Sequence, residues 1–332
     1  MSDLLEKCTV CSAIIDEEDL FCANCGAESP TGAQAKHAGS HTPSTAVSTH
    51  NFECQGCGAS MSYDASAQTL RCPFCGSEKL TEQKDTKVLA PQSVVPFAIS
   101  QAEALATLRK WLGSSFWRPS DLADAAVVEK LTGIYVPYWV FAAKTFTNWT
   151  ADTNQTPSGA RGDWFPLAGQ HRSEYRGVLI GASGALTASE TWAICPFDLA
   201  AAVPPQKVDL ENAVVEQFRV QRKYARPLAH QGLESLESQA CEQYVPGRSR
   251  NMHVNLRIEG LTAEPVLLPV WIMAYRYQDQ VYRFLANGQN GKCTGTAPTS
   301  WKKIVLIVAL SILGIVAALL CVGLFGAIAS RS

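Results

Sequence analysis

The chain has 332 residues, 47% of them hydrophobic, and a net charge of −2. This is enough for two or three compact units with a sizeable core, and the near-neutral balance gives no global attraction to nucleic acid. Charged side chains reach only 17%, below the usual quarter, and part of that shortfall is a C-terminal apolar run.

Taken in chain order, residues 1–28 read as a zinc ribbon. Cys8/Cys11 and Cys22/Cys25 are two Cys-x-x-Cys pairs with ten residues between them. Such a pair sits on one tight turn, and two turns complete a tetrahedral four-thiolate site. Residues 29–50, rich in Ser, Thr, Ala and Gly without an apolar period, read as a disordered linker. Residues 51–80 repeat the motif with Cys54/Cys57 and Cys72/Cys75, fourteen residues apart. Gly26, Gly58 and Gly76 follow the second Cys of three pairs, where the backbone must turn without Cβ interference; Ser12 stands there in the first. Two ribbons therefore predict two Zn2+ ions, one each. The spacing fits neither a disulfide scaffold nor a single redox pair. The remaining cysteines, Cys195, Cys241, Cys293 and Cys321, have no ligand spacing and read as small buried hydrophobes.

A second linker, 81–93, leads into an α+β body. Its first unit covers 94–192. Ser100 and Glu103 form a capping box before a helix that buries Leu105, Leu108 and Leu112. A second helix is expected from Pro119 to about Lys130. Strands follow at Tyr135–Phe141, Thr145–Thr153 and Tyr175–Leu186. The second unit, 193–300, is expected to carry helices at Asp209–Tyr224 and Leu228–Tyr244, then strands from Leu268. Pro137-Tyr138-Trp139 and Pro269-Val270-Trp271 look like copies of one pattern, which suggests an internal duplication. Proline donates nothing to a ladder, so each should mark a strand start or edge. Asn287-Gly288-Gln289-Asn290-Gly291 reads as a tight turn.

Residues 302–329 are expected to be a transmembrane tail anchor. Ile304 to Ala329 carries no charge and would be ~39 Å long as a helix, enough for a ~30 Å hydrocarbon core. Lys302 and Lys303 on its amino side favour a cytoplasmic N-terminal bulk, and reduced thiols agree with that side. The expected location is therefore the cell membrane, single-pass, with the lipid bilayer as a partner.

No phosphate-binding loop, zinc-protease helix motif or catalytic triad is present. Gly181-Ala182-Ser183-Gly184-Ala185 misses a nucleophile elbow at its last position. Catalytic and cofactor-binding residues are therefore expected to be absent, and the chain is read as a non-enzyme. Nucleic acid demands a basic footprint, yet residues 1–28 hold seven acidic side chains against one basic, and residues 51–79 hold three against two. The basic run Arg219, Arg222, Lys223 and Arg226, spaced for one helix face, is a candidate contact for an anionic surface.

Several strings together resemble a known group. They are Phe52 to Ala59 with Tyr63, Asp64 and Leu70 to Gly76; Val95-Pro96-Phe97; Gly133 to Phe141; Leu268 to Trp271; and Asn287 to Gly291 running on to Pro298, Ser300, Trp301 and Lys302. Residues 51–303 are similar to the prokaryotic TFIIB-type zinc-ribbon-containing proteins, often labelled as primosomal protein N′-like. That label rests on the ribbon, and the helicase part is missing here. The resemblance implies zinc and, in some relatives, membrane segments and partners in envelope-stress systems. The reading that follows is a membrane-anchored cytoplasmic scaffold or adaptor that docks protein partners. A nucleic-acid-associated protein of the replication or transcription type, without helicase activity, is the alternative.

Overall fold

The computed structural model describes residues 6–7, 14–15, 45–48, 51–62, 71–83, 86–122, 127–128, 131–278 and 280–329. Side chains are described for these except 6–7, 14–15, 45–48, 86–88, 127–128 and 317–329. The strands are β1 (Glu6–Lys7), β2 (Ile14–Ile15), β3 (Thr45–Ser48), β4 (Asn51–Cys54), β5 (Ser60–Ser62), β6 (Leu80–Gln83), β7 (Thr86–Leu89), β8 (Ser93–Val94), β9 (Val127–Val128), β10 (Thr132–Thr153), β11 (Phe165–Gly181), β12 (Val214–Glu216), β13 (Ser249–Tyr277), β14 (Gln280–Asn287) and β15 (Cys293–Gly295). The helices are α1 (Gln101–Gly113), α2 (Ala188–Ala193), α3 (Arg222–Glu242) and α4 (Trp301–Ala329).

One mixed sheet of eleven strands dominates, in the order β15-β14-β13-β10-β12-β5-β4-β6, with β11 on β10 and with β8 and β9 on β13. β10 and β13 are its two long strands and pair antiparallel from Thr132↔Ile272 to Thr153↔Ser249. From Ile134 to Trp139 every residue of β10 is buried, as expected for a strand covered on both faces. Beyond Phe141 the pattern alternates. Ala143, Thr145, Thr147, Trp149 and Ala151 are buried beneath α3, while Lys144, Asn148 and Thr150 face out. β-branched and aromatic side chains suit such a half-buried pleat.

The two halves are built alike and interlock. In each, a strand of two or three residues leads through a loop into a helix, then a long strand, then its antiparallel partner. The short strand of each half pairs in parallel with the long strand of the other: β12 with Ile134 and Tyr135, and β8 with Val266 and Leu267. The aromatic locks repeat as well. Trp139 Nε1 donates to Val220 O at 2.8 Å with Phe218 against its ring at 5.5 Å. Trp271 Nε1 donates to Ile99 O at 3.2 Å with Phe97 at 4.9 Å.

This arrangement explains where the prolines sit. Pro137 and Pro269 lie inside the two longest strands, contrary to the expectation of starts or edges. Ala182 N donates to Pro137 O at 2.9 Å, and Gly288 N donates to Pro269 O at 2.8 Å. A strand residue's nitrogen faces the same side as its carbonyl, so each proline nitrogen points outward. There the neighbouring strand changes, from β12 to β11 beside Pro137 and from β8 to β14 beside Pro269. The missing donors fall in seams where no ladder bond is required.

The expected fold class is corrected on two counts. The α+β body is a mixed β-sheet, and the second ribbon is part of it: β5 pairs with β12 through Met61↔Glu216 and Ser62↔Val215. The largest core cluster joins Phe52, Met61 and Phe74 to Ile134, Val136, Leu268 and Ile272. The second count is the tail anchor. Among the described residues no helix is long and apolar enough to cross a membrane, which overturns the single-pass location and the sidedness argued from it. The side chains described in α4 end at Val316, short of the ~20 residues a span needs. Lys303, read from sequence as a flanking charge, instead holds the carbonyls of Phe116 (3.0 Å) and Arg118 (2.8 Å).

Other elements moved too. The capping box forms as expected, with Ser100 N donating to Glu103 Oε2 at 2.7 Å and Glu103 N to Ser100 Oγ at 3.3 Å. The helix expected over Asp209–Tyr224 is replaced by turns and β12, and α3 starts at Arg222. Val127–Val128, expected to be helical, pairs with Tyr275 and Arg276. Within the stretch read as a linker, β3 pairs with β7.

Candidate metal centre

Two matched knuckles bring Cys54, Cys57, Cys72 and Cys75 together. In the first, Cys54 N donates to Ala59 O (2.9 Å) and Gly58 N to Cys54 O (2.8 Å); in the second, Cys72 N donates to Ser77 O (2.8 Å) and Gly76 N to Cys72 O (2.7 Å). These closures need a left-handed residue at the fifth position, supplied by Gly58 at φ 74° and Gly76 at φ 73°. The four sulfurs lie within 4.8 Å of one another. Cys54–Cys75 and Cys57–Cys72 are each separated by 3.6 Å. A tetrahedron with metal–sulfur bonds of ~2.3 Å has sulfur–sulfur edges of ~3.8 Å, so the set fits one Zn2+ with all four positions closed.

The electrostatics point the same way. Hydrogen bonding from Cys72 lowers the Cys57 thiol to about 5. Cys72 is driven strongly upward by that same bond and by burial, and burial pushes Cys75 up to about 11. Four sulfurs in a half-dry pocket tolerate one thiolate, stabilised by thiols around it. Full deprotonation needs a cation in their midst.

Cys8, Cys11, Cys22 and Cys25 lie outside the described residues. Only β1 and β2, which flank the first pair, are described; they pair through Glu6↔Ile15 and Lys7↔Ile14. One four-cysteine cluster is therefore established by geometry, and a second ion is not.

With the cluster's geometry set, its likeness to known proteins is limited. The chain is similar to a protein of Bacillus subtilis (strain 168) described as the uncharacterized protein YdjG, at 24% identity over 314 residues, covering 76% of this chain and 92% of that protein. No family model matches the chain. No solved structure matches it either.

The candidate basic run is divided by the fold. Arg219 precedes α3 and reaches back to the knuckle module, donating to Glu53 Oε1 at 2.7 Å and to Ser60 Oγ. Its stem crosses Gly184, where a Cβ would stand 2.8 Å from its Cγ. Arg222, Lys223 and Arg226 lie in the first two turns of α3, with Lys223 5.2 Å from the Tyr224 ring centre. The four do not share one helix face.

Sequence reasoning missed Glu216. In the aligned halves it occupies the place of Val95, and both are fully buried. Its Oε1 accepts from Ser183 Oγ (2.7 Å), Gly184 N (3.0 Å) and Ala185 N (3.2 Å), while Oε2 has no partner. Burial pushes its carboxyl up to about 7, partly offset by the Ser183 bond. The near-elbow serine is thus a loop anchor. Ser183 is buried and also accepts from Leu186 N at 2.8 Å.

Sequence reasoning also missed a polar cluster under α3. The buried stripe of that helix is Ala225, Ala229, Leu233, Glu237 and Cys241. A carboxylate at a period-4 apolar position was its visible signal. His171 Nδ1 lies 2.8 Å from Glu237 Oε2.

Proposed function

We propose that the chain is a non-enzymatic zinc-ribbon adaptor for protein partners. In this reading Cys54, Cys57, Cys72 and Cys75 hold one Zn2+, and Cys8, Cys11, Cys22 and Cys25 hold another. The observation that carries the proposal is a closed four-sulfur set built into a rigid sheet. A closed site leaves no position for substrate, so the metal serves shape. Gln55, Gly56 and Gly58 of the first knuckle turn, and Glu78 and Lys79 just after the second, are exposed, on a base fixed by β5–β12 pairing. The acidic balance of both ribbons favours a protein over a phosphate backbone. Kinship with the TFIIB-type zinc-ribbon proteins is part of the same proposal, supported by the knuckle pattern.

A second reading, nucleic-acid association, draws on the sheet face opposite α3. There Phe146 lies between Arg172 and Arg257 across the strands, with guanidinium carbons 4.9 Å and 5.2 Å from its ring centre. Asn148, Gln170 and Asn255 form the next row. An aromatic with arginines on an open sheet is the chemistry of a base-stacking platform. Capture from cells by the full chain decides between the readings. Partners retained after nuclease but lost with Cys57→Ser/Cys72→Ser support the adaptor. Partners lost to nuclease and to Phe146→Ala support the second reading. Capture unchanged by all three treatments overturns both.

A further inference from the structure

We propose a second metal site, separate from the four-cysteine cluster, formed by His171, Glu237 and Cys241 where α3 crosses the β10/β11 hairpin. Glu237 and Cys241 stand four residues apart on one helix face, and both are fully buried. His171 reaches them from β11. A ring nitrogen of His171, a carboxylate oxygen of Glu237 and Sγ of Cys241 lie within 4.8 Å of one another.

The surroundings are arranged as they are around metal ligands. Ser173 Oγ stands 3.3 Å from His171 Nε2. The 2.8 Å contact between Nδ1 and Glu237 Oε2 holds a proton between them; moving that proton to Nε2, where Ser173 Oγ can accept it, would free the Nδ1 lone pair for an ion. Thr145 Oγ1 donates to Glu237 Oε1 at 2.5 Å, which orients the carboxylate with Oε2 toward His171. The Tyr244 ring, 5.5 Å from the imidazole centre, closes the pocket. Thr147, fully buried, and Tyr175 lie against the same carboxylate.

The buried thiol one turn on separates this arrangement from a plain hydrogen-bond network, because a network built only to satisfy Glu237 would have no use for sulfur there. Metal entry needs little movement. The 2.8 Å His171–Glu237 contact opens to about 3.3 Å when both atoms bind one ion at ~2.0–2.1 Å in tetrahedral geometry. One imidazole, one carboxylate and one thiolate select a borderline ion of the Zn2+ or Co2+ type over Mg2+ or Ca2+. The fourth position falls to water or to Thr147. Burial and the Glu237 charge hold the Cys241 thiol up at about 11, so binding releases its proton and tightens as pH rises.

The test uses the full chain, stripped by chelation and titrated with Co2+. The expected result is one more bound equivalent in the wild type than in His171→Ala, Glu237→Gln or Cys241→Ser. The wild-type minus Cys241→Ser difference spectrum should show a thiolate-to-cobalt band of single-sulfur intensity. Equal stoichiometry in all four proteins, each folded by circular dichroism, overturns the proposal. Should the variants not fold, zinc-edge absorption on the wild type decides. A sulfur-only first shell overturns the site, and a mixed nitrogen, oxygen and sulfur shell supports it. Where Glu237→Gln does fold, a nitrogen/oxygen shell that persists in it means an adventitious ion only and also overturns the proposal.

Discussion

Removing the metal from the four-cysteine cluster should destabilise the body as well as the knuckles. Small zinc modules are unfolded without their ion, because metal binding supplies their folding free energy. Here the knuckle module contributes Phe52, Met61 and Phe74 to the largest core cluster, with exposures of 7%, 0% and 1%. Each such side chain is worth ~1.5–3 kcal/mol when buried, so their loss amounts to roughly 5–9 kcal/mol. A whole domain has only ~5–15 kcal/mol of net stability. The perturbation is Cys57→Ser, which spoils one ligand of this cluster and leaves Cys8, Cys11, Cys22 and Cys25 untouched. None of the eight tryptophans lies in residues 51–83, so tryptophan fluorescence reports the rest of the chain alone. At ~2–4 °C per kcal/mol, a loss of ~5 kcal/mol lowers the tryptophan-monitored Tm by about 10–20 °C. A Tm within about 2 °C of wild type would refute the reasoning, because it would mean that the module unfolds without disturbing the core it shares.

Glu216→Gln tests the buried carboxyl. Its folded value of about 7 lies above the ~4.3 of an unfolded chain, so the neutral acid's contribution is complete below ~pH 4 and is lost as pH rises to 7. In urea unfolding, the advantage of Glu216→Gln over wild type should grow by about 2 kcal/mol between about pH 5.5 and 7.5 and then level off; a constant difference rejects the assignment. Arg219→Ala and Glu53→Ala should show a coupling of only ~0.5–1 kcal/mol in a double-mutant cycle, since the pair is 42% and 29% exposed. A coupling above ~2 kcal/mol would show that the bridge acts as a buried pair. Gly169→Ala places a Cβ 2.5 Å from the Trp149 ring and should cost ~1–3 kcal/mol by overpacking. An unchanged melting curve would place Trp149 elsewhere.

What could be read from the chain beforehand was what local chemistry encodes. The Cys54–Cys75 knuckles, their glycines, the Ser100 cap and the Asn287–Gly291 turn depend on neighbours a few residues away. The weld between module and body depends on Met61 meeting Glu216, and nothing in either segment announces a partner so distant in sequence. The prolines misled for a related reason. The rule that sends proline to edges concerns missing donors, and an interior seam satisfies it equally well. The basic run suggested a helix face because its spacing is helical, but Arg219 is engaged by Glu53 before the helix begins. The C-terminal segment was judged by its apolar length and flanking lysines, whereas among the described residues no helix is long and apolar enough to cross a membrane. Glu237 was legible in principle as a charge in an apolar stripe. Its partner His171 arrives from another strand and gives no sign in the local pattern.

The exchange of short strands between the halves has a consequence for how the protein is made. A ribosome delivers β10 well before β12 and β13, so the first half emerges with its central strand lacking both the parallel strand and the long antiparallel strand that cover it. Neither half is a folding unit by itself. The closing contacts link residues 80 positions apart in one case and 173 in the other, a topology that folds slowly because distant loops must close before any reward is gained. The nascent chain therefore carries an open β edge until the second half is complete. A protease or chaperone acting on that edge meets the protein at its most exposed moment.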